Sequence, residues 1–294
     1  MAETLAWLVE YGHVRDHPAN LLIADRPQAE LRAMPFCFAA IVYGSAVVLV
    51  DVGFSSEFHQ RRLGGKYRDA VWCPPVDALA RLGLDPADVD VIVLTHKHFD
   101  HVGALPDFPA ARVLLRREEY ERHRAAVGDP DRFTPAMFRA TDPDLLDVLD
   151  TRAAAGLLTL VTGGEPTEPV PGVWLYPALD THTPGSQYAV LQTATGPLIF
   201  PGDNVSAYEN IEGVREPIGS LTGPVPRWHA LADELVGVAC GDTRRIVPFH
   251  DDEVWRRFPS FTFADGLHTA ALTPATPLPE ELAGESARVW KGTP

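Results

Sequence analysis

The chain has 294 residues, 46% of them hydrophobic and 22% charged, with a formal net charge of −15. Those proportions suit a globular protein with one sizeable core, while the acidic balance opposes partners such as nucleic-acid phosphates or an anionic membrane surface. Cys37, Cys73 and Cys240 are far apart and form no Cys-x-x-Cys pair, so they read as free thiols in a reducing cytoplasm.

The N-terminus, Met1-Ala2-Glu3-Thr4, lacks a basic leader region. No run approaches the ~18 apolar residues of a membrane span, which adds to the expectation of a cytoplasmic protein. Residues 36 to 52 read as paired strands, with Tyr43-Gly44-Ser45 as the turn. Residues 54 to 72 read as a loop punctuated by Arg and Gly. Pro75 to Leu82 has helical spacing, and Leu84 to Asp88 reads as a short turn. Val91-Ile92-Val93-Leu94 is a buried strand. Arg112 to Leu115 reads as another strand, followed by a helix at Glu118 to Ala126. Asp129-Pro130-Asp131, Thr134-Pro135 and Asp142-Pro143 break up residues 127 to 156, in which Asp144 to Ala155 looks helical. The tail 274–294, rich in Pro, Glu and Thr, is expected to lie extended over the surface, with Val289 and Trp290 able to dock. No repeat is visible, and residues 1–294 read as a single domain.

The densest chemistry follows the strand at Val91. Thr95-His96-Lys97-His98-Phe99-Asp100-His101 places three imidazoles and a carboxylate in six residues. Neutral imidazole and carboxylate are the donors that hold divalent transition metals. The pattern recurs along the chain. Val47-Val48-Leu49-Val50 runs into Asp51, and Val173-Trp174-Leu175-Tyr176 leads on to His182. Leu198-Ile199-Phe200 runs through Pro201-Gly202 into Asp203, and Ile246-Val247-Pro248-Phe249 into His250. One Asp after a strand means little, since Asp is common in turns. Five such endings suggest a sheet whose strand ends converge on one site.

Taken together, Val50-Asp51-Val52-Gly53, Thr95 to Gly103, Thr181 to Gln187, Pro201-Gly202-Asp203-Asn204 and Pro248-Phe249-His250-Asp251 resemble the metallo-β-lactamase superfamily, in its order. The stretch Asp203 to Glu212 and the run His250 to Pro259 look most like the N-acyl-homoserine-lactonase-like group. The resemblance implies an α/β fold, a four-layer αβ/βα sandwich with its metal site at the strand ends. It implies that His96, His98 and His182 bind one metal, that Asp100, His101 and His250 bind a second, and that Asp203 bridges them. N and O donors without thiolate suit two zinc ions, with iron or manganese as alternatives. Asp51 is expected to orient a ligand imidazole rather than to ligate.

The implied activity is opening of a small-molecule lactone by a hydroxide bridging the two metals, with Asp100 carrying the proton to the leaving group. Glyoxalase II-like thioester hydrolysis and a mononuclear-iron persulfide dioxygenase are the alternatives. The only partners expected are the small-molecule substrate and, in a possible homodimer, a second copy of the chain. Two departures from the family bear on catalysis. Ser206 stands where the best-known lactonases carry a catalytic tyrosine, and Tyr208, two residues on, is the candidate oxyanion donor. Phe249 replaces the usual Gly before His250 and is expected to narrow the substrate pocket. Residues 127–156 occupy a position that often covers the active site in these hydrolases. His13, His17, His59, His123, His229 and His268 stand alone and read as surface or core residues.

Overall fold

The computed structural model describes residues 4–55, 57–67, 69–132 and 144–282. Among the described residues thirteen strands form two sheets: β1 (Thr4–Pro18), β2 (Leu31–Tyr43), β3 (Ala46–Val50), β4 (Val71–Trp72), β5 (Val91–Val93), β6 (Arg112–Arg116), β7 (Leu158–Val161), β8 (Thr167–Val170), β9 (Val173–Pro177), β10 (Gln187–Thr193), β11 (Gly196–Phe200), β12 (Ser260–Thr262) and β13 (His268–Ala271). The larger sheet runs β12-β13-β1-β2-β3-β5-β6-β7, with β4 paired to β1; the smaller runs β11-β10-β9-β8. The pairs β3–β5, β5–β6 and β6–β7 are parallel, and the flanking pairs are antiparallel.

Period-2 alternation explains the layering. On β1, Leu5, Trp7, Val9 and Tyr11 enter one apolar cluster, together with Leu63, Leu79, Leu145 and Leu149 from helices Glu57–Lys66, Pro75–Ala80 and Asp144–Ala154. The intervening Ala6 and Leu8 enter a second cluster with β9, β10 and β11 and with Leu231 and Leu235 of helix Val225–Val238. Helices, large sheet, small sheet and helix thus stack as the four-layer αβ/βα sandwich. Among the described residues no helix is long and apolar enough to cross a membrane.

Several elements differ from expectation. Residues 57–66 form a helix rather than a loop. Its glycines and arginines hid it, and burial of Leu63 in the first cluster holds it. The run 246–249 is not a strand: Ile246 makes one isolated parallel bridge to Ile199, and Pro248 has no N–H to extend it. β1 escaped notice because both of its faces are apolar, which erases the alternation. Within the expected cover, 127–156, helix Asp144–Ala154 packs on β7 and on the loop before β6. There Arg152 donates to the carbonyls of Leu105, Phe108 and Pro109; residues 133–143 lie outside the described residues. The described start of the tail is docked rather than loosely extended. Thr276 Oγ1 accepts from Ala6 N, and Pro277 O accepts from the Trp7 indole. Residues 283–294, with Val289 and Trp290, lie outside the described residues.

The loops that carry the candidate site are tied together from behind. Glu119, fully buried at the start of helix Arg117–Gly128, accepts from Lys97 N at 3.1 Å and from Gly185 N at 2.8 Å. A Cβ on Gly185 would lie 2.0 Å from Glu119 N. Gly185→Ala is therefore expected to destabilise the fold by about 1–3 kcal/mol, the usual cost of overpacking. Gly164→Ala, in open space, should stay within about 0.5 kcal/mol. Denaturant melts of the two variants check this, and equal midpoints would contradict it.

Candidate active site

Most of the candidate donors stand on loops that follow strand ends. β5 ends at Val93, and residues 95–98 turn into the short helix Phe99–Val102. β11 ends at Phe200, and Gly202, at φ +56, lets the chain pass Thr95 and present Asp203. A Cβ at Gly202 would lie 2.5 Å from Thr95 Oγ1. Val247 N bonds to Ile199 O and carries the chain to His250. Gln187 N bonds to Thr95 O, which brings the His182 loop alongside.

The donor atoms form two groups. His96, His98, His182 and Asp203 make one, and Asp100, His101 and His250 the other; within each group the atoms lie within 4.8 Å of one another. Nε2 of His96 and Nε2 of His182 both lie 3.0 Å from Nδ1 of His98. One ring nitrogen offers either a proton or a lone pair, so it cannot satisfy both neighbours in the same role. Asp203 reaches each group with a different oxygen. Oδ2 is 3.3 Å from His182 Nε2, and Oδ1 is 3.0 Å from Nε2 of both His101 and His250. His101 Nε2 and Asp203 Oδ1 are buried and make no hydrogen bond. Ring nitrogens and carboxylate oxygens crowded around common points, unpaired, are what a divalent cation satisfies. The residues therefore fit a pair of metal ions.

The outward nitrogens fix the rings. His101 Nδ1 lies 2.7 Å from Asp51 Oδ2, His96 Nδ1 lies 3.0 Å from Thr95 Oγ1, and His182 Nδ1 lies 3.3 Å from Ser220 Oγ. His250 Nδ1 lies 2.8 Å from the Pro35 carbonyl. A carbonyl only accepts, so His250 carries a proton on Nδ1 and turns Nε2 inward. Thr181 Oγ1, 2.7 Å from Asn204 Oδ1, joins the His182 loop to the Asp203 loop.

Electrostatics point the same way. Burial pushes His96 and His98 well below the ordinary imidazole range, and His182 to about 4, leaving neutral rings with free lone pairs. Burial opposes ionisation of Asp203, but His250 and His101 prevail and hold it well below the carboxylate range. Burial likewise opposes protonation of His101 and His250, and the carboxylates, Asp203 foremost, overcome it and raise both. The positive charge those protons supply is the charge that a bound cation would replace.

Two sequence-predicted residues lie elsewhere. Tyr208 is buried in the second apolar cluster, away from the cavity beside the donors, with the Arg257 guanidinium 3.5 Å over its ring. Its backbone N–H, rather than its hydroxyl, is engaged, by Asp251 Oδ2 at 2.8 Å. Phe249 is fully buried behind the site, lying parallel to His101 with ring centroids 6.5 Å apart, so it backs a ligand instead of narrowing a pocket. Ser206 does line the cavity, on a loop built by Asn210, whose Oδ1 accepts from Ser206 N and Ala207 N.

The cavity itself, about 170 Å³, has a polar floor of Asp100, His98, His182, Asp203 and His250. Its apolar wall is Leu21, Leu22, Met34, Phe36, Leu63 and Phe99, and His17 and Tyr67 interrupt that wall. Sequence reasoning missed this wall, Glu119 and His17. The apolar run Met34-Pro35-Phe36 ahead of the first motif was the available signal for the wall, while nothing local marks Glu119.

Comparison with known proteins agrees with this geometry. Residues 36–250 match the family model described as the metallo-beta-lactamase superfamily. The chain is similar to the N-acyl homoserine lactonase AttM of Azorhizobium caulinodans, 29% identical over 288 residues, which are 91% of this chain and 100% of that protein. It is also similar to the AttM protein of Agrobacterium fabrum, 50% identical over 131 residues, 41% of this chain and 49% of that one. Among solved structures, an N-acyl homoserine lactone hydrolase with N-hexanoyl-L-homoserine at its catalytic metal center superposes with a TM-score of 0.65 at 20% identity, over 87% of this chain and 96% of that one. The dizinc quorum-quenching lactonase AidC gives a TM-score of 0.64 at 15% identity, over 91% of this chain and 94% of its own.

Three outcomes are expected from these placements. Elemental analysis should find about two transition-metal ions per chain, and fewer in both His101→Ala and Asp203→Ala. Asp51→Asn should bind metal about 10- to 100-fold more weakly, as loss of a ring-orienting carboxylate does. Full occupancy in both alanine variants would refute the paired site. Tyr208→Phe should leave kcat unchanged. A loss of about 100-fold, the scale of a missing transition-state donor, would return that hydroxyl to the site.

Proposed function

The chain belongs to the metallo-beta-lactamase superfamily, and on that premise we propose that it is a dinuclear zinc hydrolase that opens a small-molecule lactone to a hydroxy acid. One observation carries the reading: two donor groups share Asp203 at the floor of a small cavity with an apolar wall. The similarity to lactonases along most of the chain favours a cyclic ester over other acyl compounds.

His96, His98 and His182 with Asp203 would hold one ion, and Asp100, His101 and His250 with Asp203 the other. Ions held there supply Lewis acidity toward a carbonyl oxygen and make water a nucleophile near neutral pH. The chain's own groups orient and move protons. Asp51 and the Pro35 carbonyl keep the His101 and His250 rings turned inward. Burial raises the Asp100 carboxyl above its usual range, which suits a group that takes a proton and returns it to the leaving alkoxide oxygen. Tyr11, hydroxyl-bonded at 2.8 Å to the Asp100 carbonyl, holds that residue's backbone in place. Leu22, Met34 and Phe36 exclude water from the substrate's hydrocarbon portion. The cavity's size and the net charge of −15 favour a small substrate over a polyanion.

A pH-stat assay across plain, alkyl-substituted and amide-substituted lactones should register one proton released per ring opened. Thioesters such as S-lactoylglutathione turning over far faster than every lactone would favour the glyoxalase II-like alternative. Oxygen uptake with a persulfide, on a single iron and without ester cleavage, would overturn the hydrolase reading.

A further inference from the structure

The two donor groups are not held alike. Behind Asp100, His101 and His250 stand strong acceptors. His101 Nδ1 lies 2.7 Å from the Asp51 carboxylate, and His250 Nδ1 lies 2.8 Å from the Pro35 carbonyl. Pro35 is on β2, and Asp51 directly follows β3, so both acceptors are anchored in the large sheet. Behind His96, His98 and His182 the acceptors are weaker. His96 Nδ1 faces the Thr95 hydroxyl at 3.0 Å, and His182 Nδ1 faces the Ser220 hydroxyl at 3.3 Å. His98 turns Nδ1 inward, and its Nε2 makes no hydrogen bond among the described residues. Asp203 leans the same way. Its Oδ1 is 3.0 Å from Nε2 of both His101 and His250, while its Oδ2 is 3.3 Å from His182 Nε2 and 3.8 Å from His96 Nε2.

Ser220 also comes from outside both sheets, on a segment, 216–223, that contains no strand or helix. The segment is pinned on two sides. Pro217 O accepts from Ala24 N at 2.8 Å, two residues past Leu22 of the cavity wall. Thr181 O accepts from Thr222 N at 3.1 Å and from Gly223 N at 3.0 Å. A Cβ on Gly219 would lie 1.7 Å from Asn20 O, so the segment presses on the wall loop with no room between them. The backbone around His182 is fixed independently, by Thr181 Oγ1 on Asn204 and by Gly185 N on Glu119. What Ser220 adds is the rotation of the imidazole ring.

An acceptor behind a ligating imidazole fixes its tautomer and raises its basicity. A carboxylate does this more strongly than a hydroxyl, because a hydrogen bond to an ionised acceptor is shorter and stronger. We propose that the two ions are held unequally: the ion of His96, His98 and His182 is the exchangeable one, and Ser220 is the positioning residue that sets its hold. Through the segment 216–223, that hold depends on the wall loop at Asn20 to Ala24. The proposal rests on the paired-metal reading of the site. Its consequence is regulatory, since scarce metal would empty that position first and leave the chain with one Lewis acid instead of two.

The test follows zinc release from the fully loaded chain to an excess of a chromophoric chelator. The wild type should release its two ions in two phases. Ser220→Ala should speed the faster phase about 10- to 100-fold, the scale on which loss of a ring-orienting partner weakens metal binding, and leave the slower phase unchanged. Ser220→Thr, which keeps a hydroxyl, should restore the wild-type rate. Gly219→Ala, whose methyl must push the segment off Asn20, should speed the same phase with the Ser220 hydroxyl still present. A general loosening of the fold would speed both phases together. That result in Ser220→Ala, a change in the slower phase alone, no change in either phase, or two ions leaving the wild type in one phase overturns the proposal. An unchanged rate in Gly219→Ala overturns the link to the wall loop. If the wild type yields only one ion per chain, the paired-metal reading fails by itself. Faster loss of that ion from Ser220→Ala then still places Ser220 behind its ligand ring, and an unchanged rate overturns that placement as well.

Discussion

The site depends on one buried carboxylate. Asp51 is fully buried, and its two oxygens accept from Thr95 N at 2.8 Å, from Thr95 Oγ1 at 2.8 Å and from His101 Nδ1 at 2.7 Å. Its backbone lies in the left-handed region at φ +60, which costs energy for any residue but glycine and is least costly for Asp and Asn. That conformation turns the end of β3 so that Asp51 N meets Val93 O and Val52 N meets His101 O. The strand end, the His-rich loop and one candidate ligand ring are locked by a single side chain. Removing it would strand a buried hydroxyl, a buried amide and an imidazole proton together, which makes the position far less replaceable than its size suggests.

The fold class was legible in the sequence, and so was the convergence of the donor residues, while several individual elements were not. Ligand types, spacing and strand ends carry chemistry that survives without coordinates, and the structure brings His96, His98, Asp100, His101, His182, Asp203 and His250 into two adjoining groups. Tyr208 and Phe249 pack into the apolar core for local reasons that spacing does not carry: Tyr208 opens a 3-10 turn two residues past Ser206, and Phe249 stands in a bend with its ring stacked behind His101. Glu119 and His17 were invisible for the converse reason: they act on loops far from them in sequence. β1 was missed because a strand buried on both faces has no alternation to read.

The cavity wall teaches a related lesson. Its apolar side chains come from residues 21–36, from helix Glu57–Lys66 and from Phe99, not from the 144–154 helix, which shares the first apolar cluster without lining the cavity. Floor and wall therefore come from different parts of the chain: most of the donors stand on loops, whereas the wall comes from Leu21 and Leu22, from Met34 and Phe36 of β2, from Leu63 and from Phe99. Asn210 links the two parts: its amide donates to Leu22 O while its oxygen holds the Ser206 loop.

The pairing of β1 with β13 has a consequence for how the molecule comes into being. Thr269 Oγ1 bonds to Leu8 O across a separation of 261 residues, and β1 lies inside the sheet with β2 on its other side. On the ribosome, the strand that ends up most enclosed is made before every other described strand and waits longest for its neighbour. Until β13 and residues 273–277 emerge, β1 presents an open apolar edge, with the Trp7 indole lacking its acceptor. Nascent chains halted before residue 268 thus keep that apolar edge uncovered, as a long-range strand pairing requires.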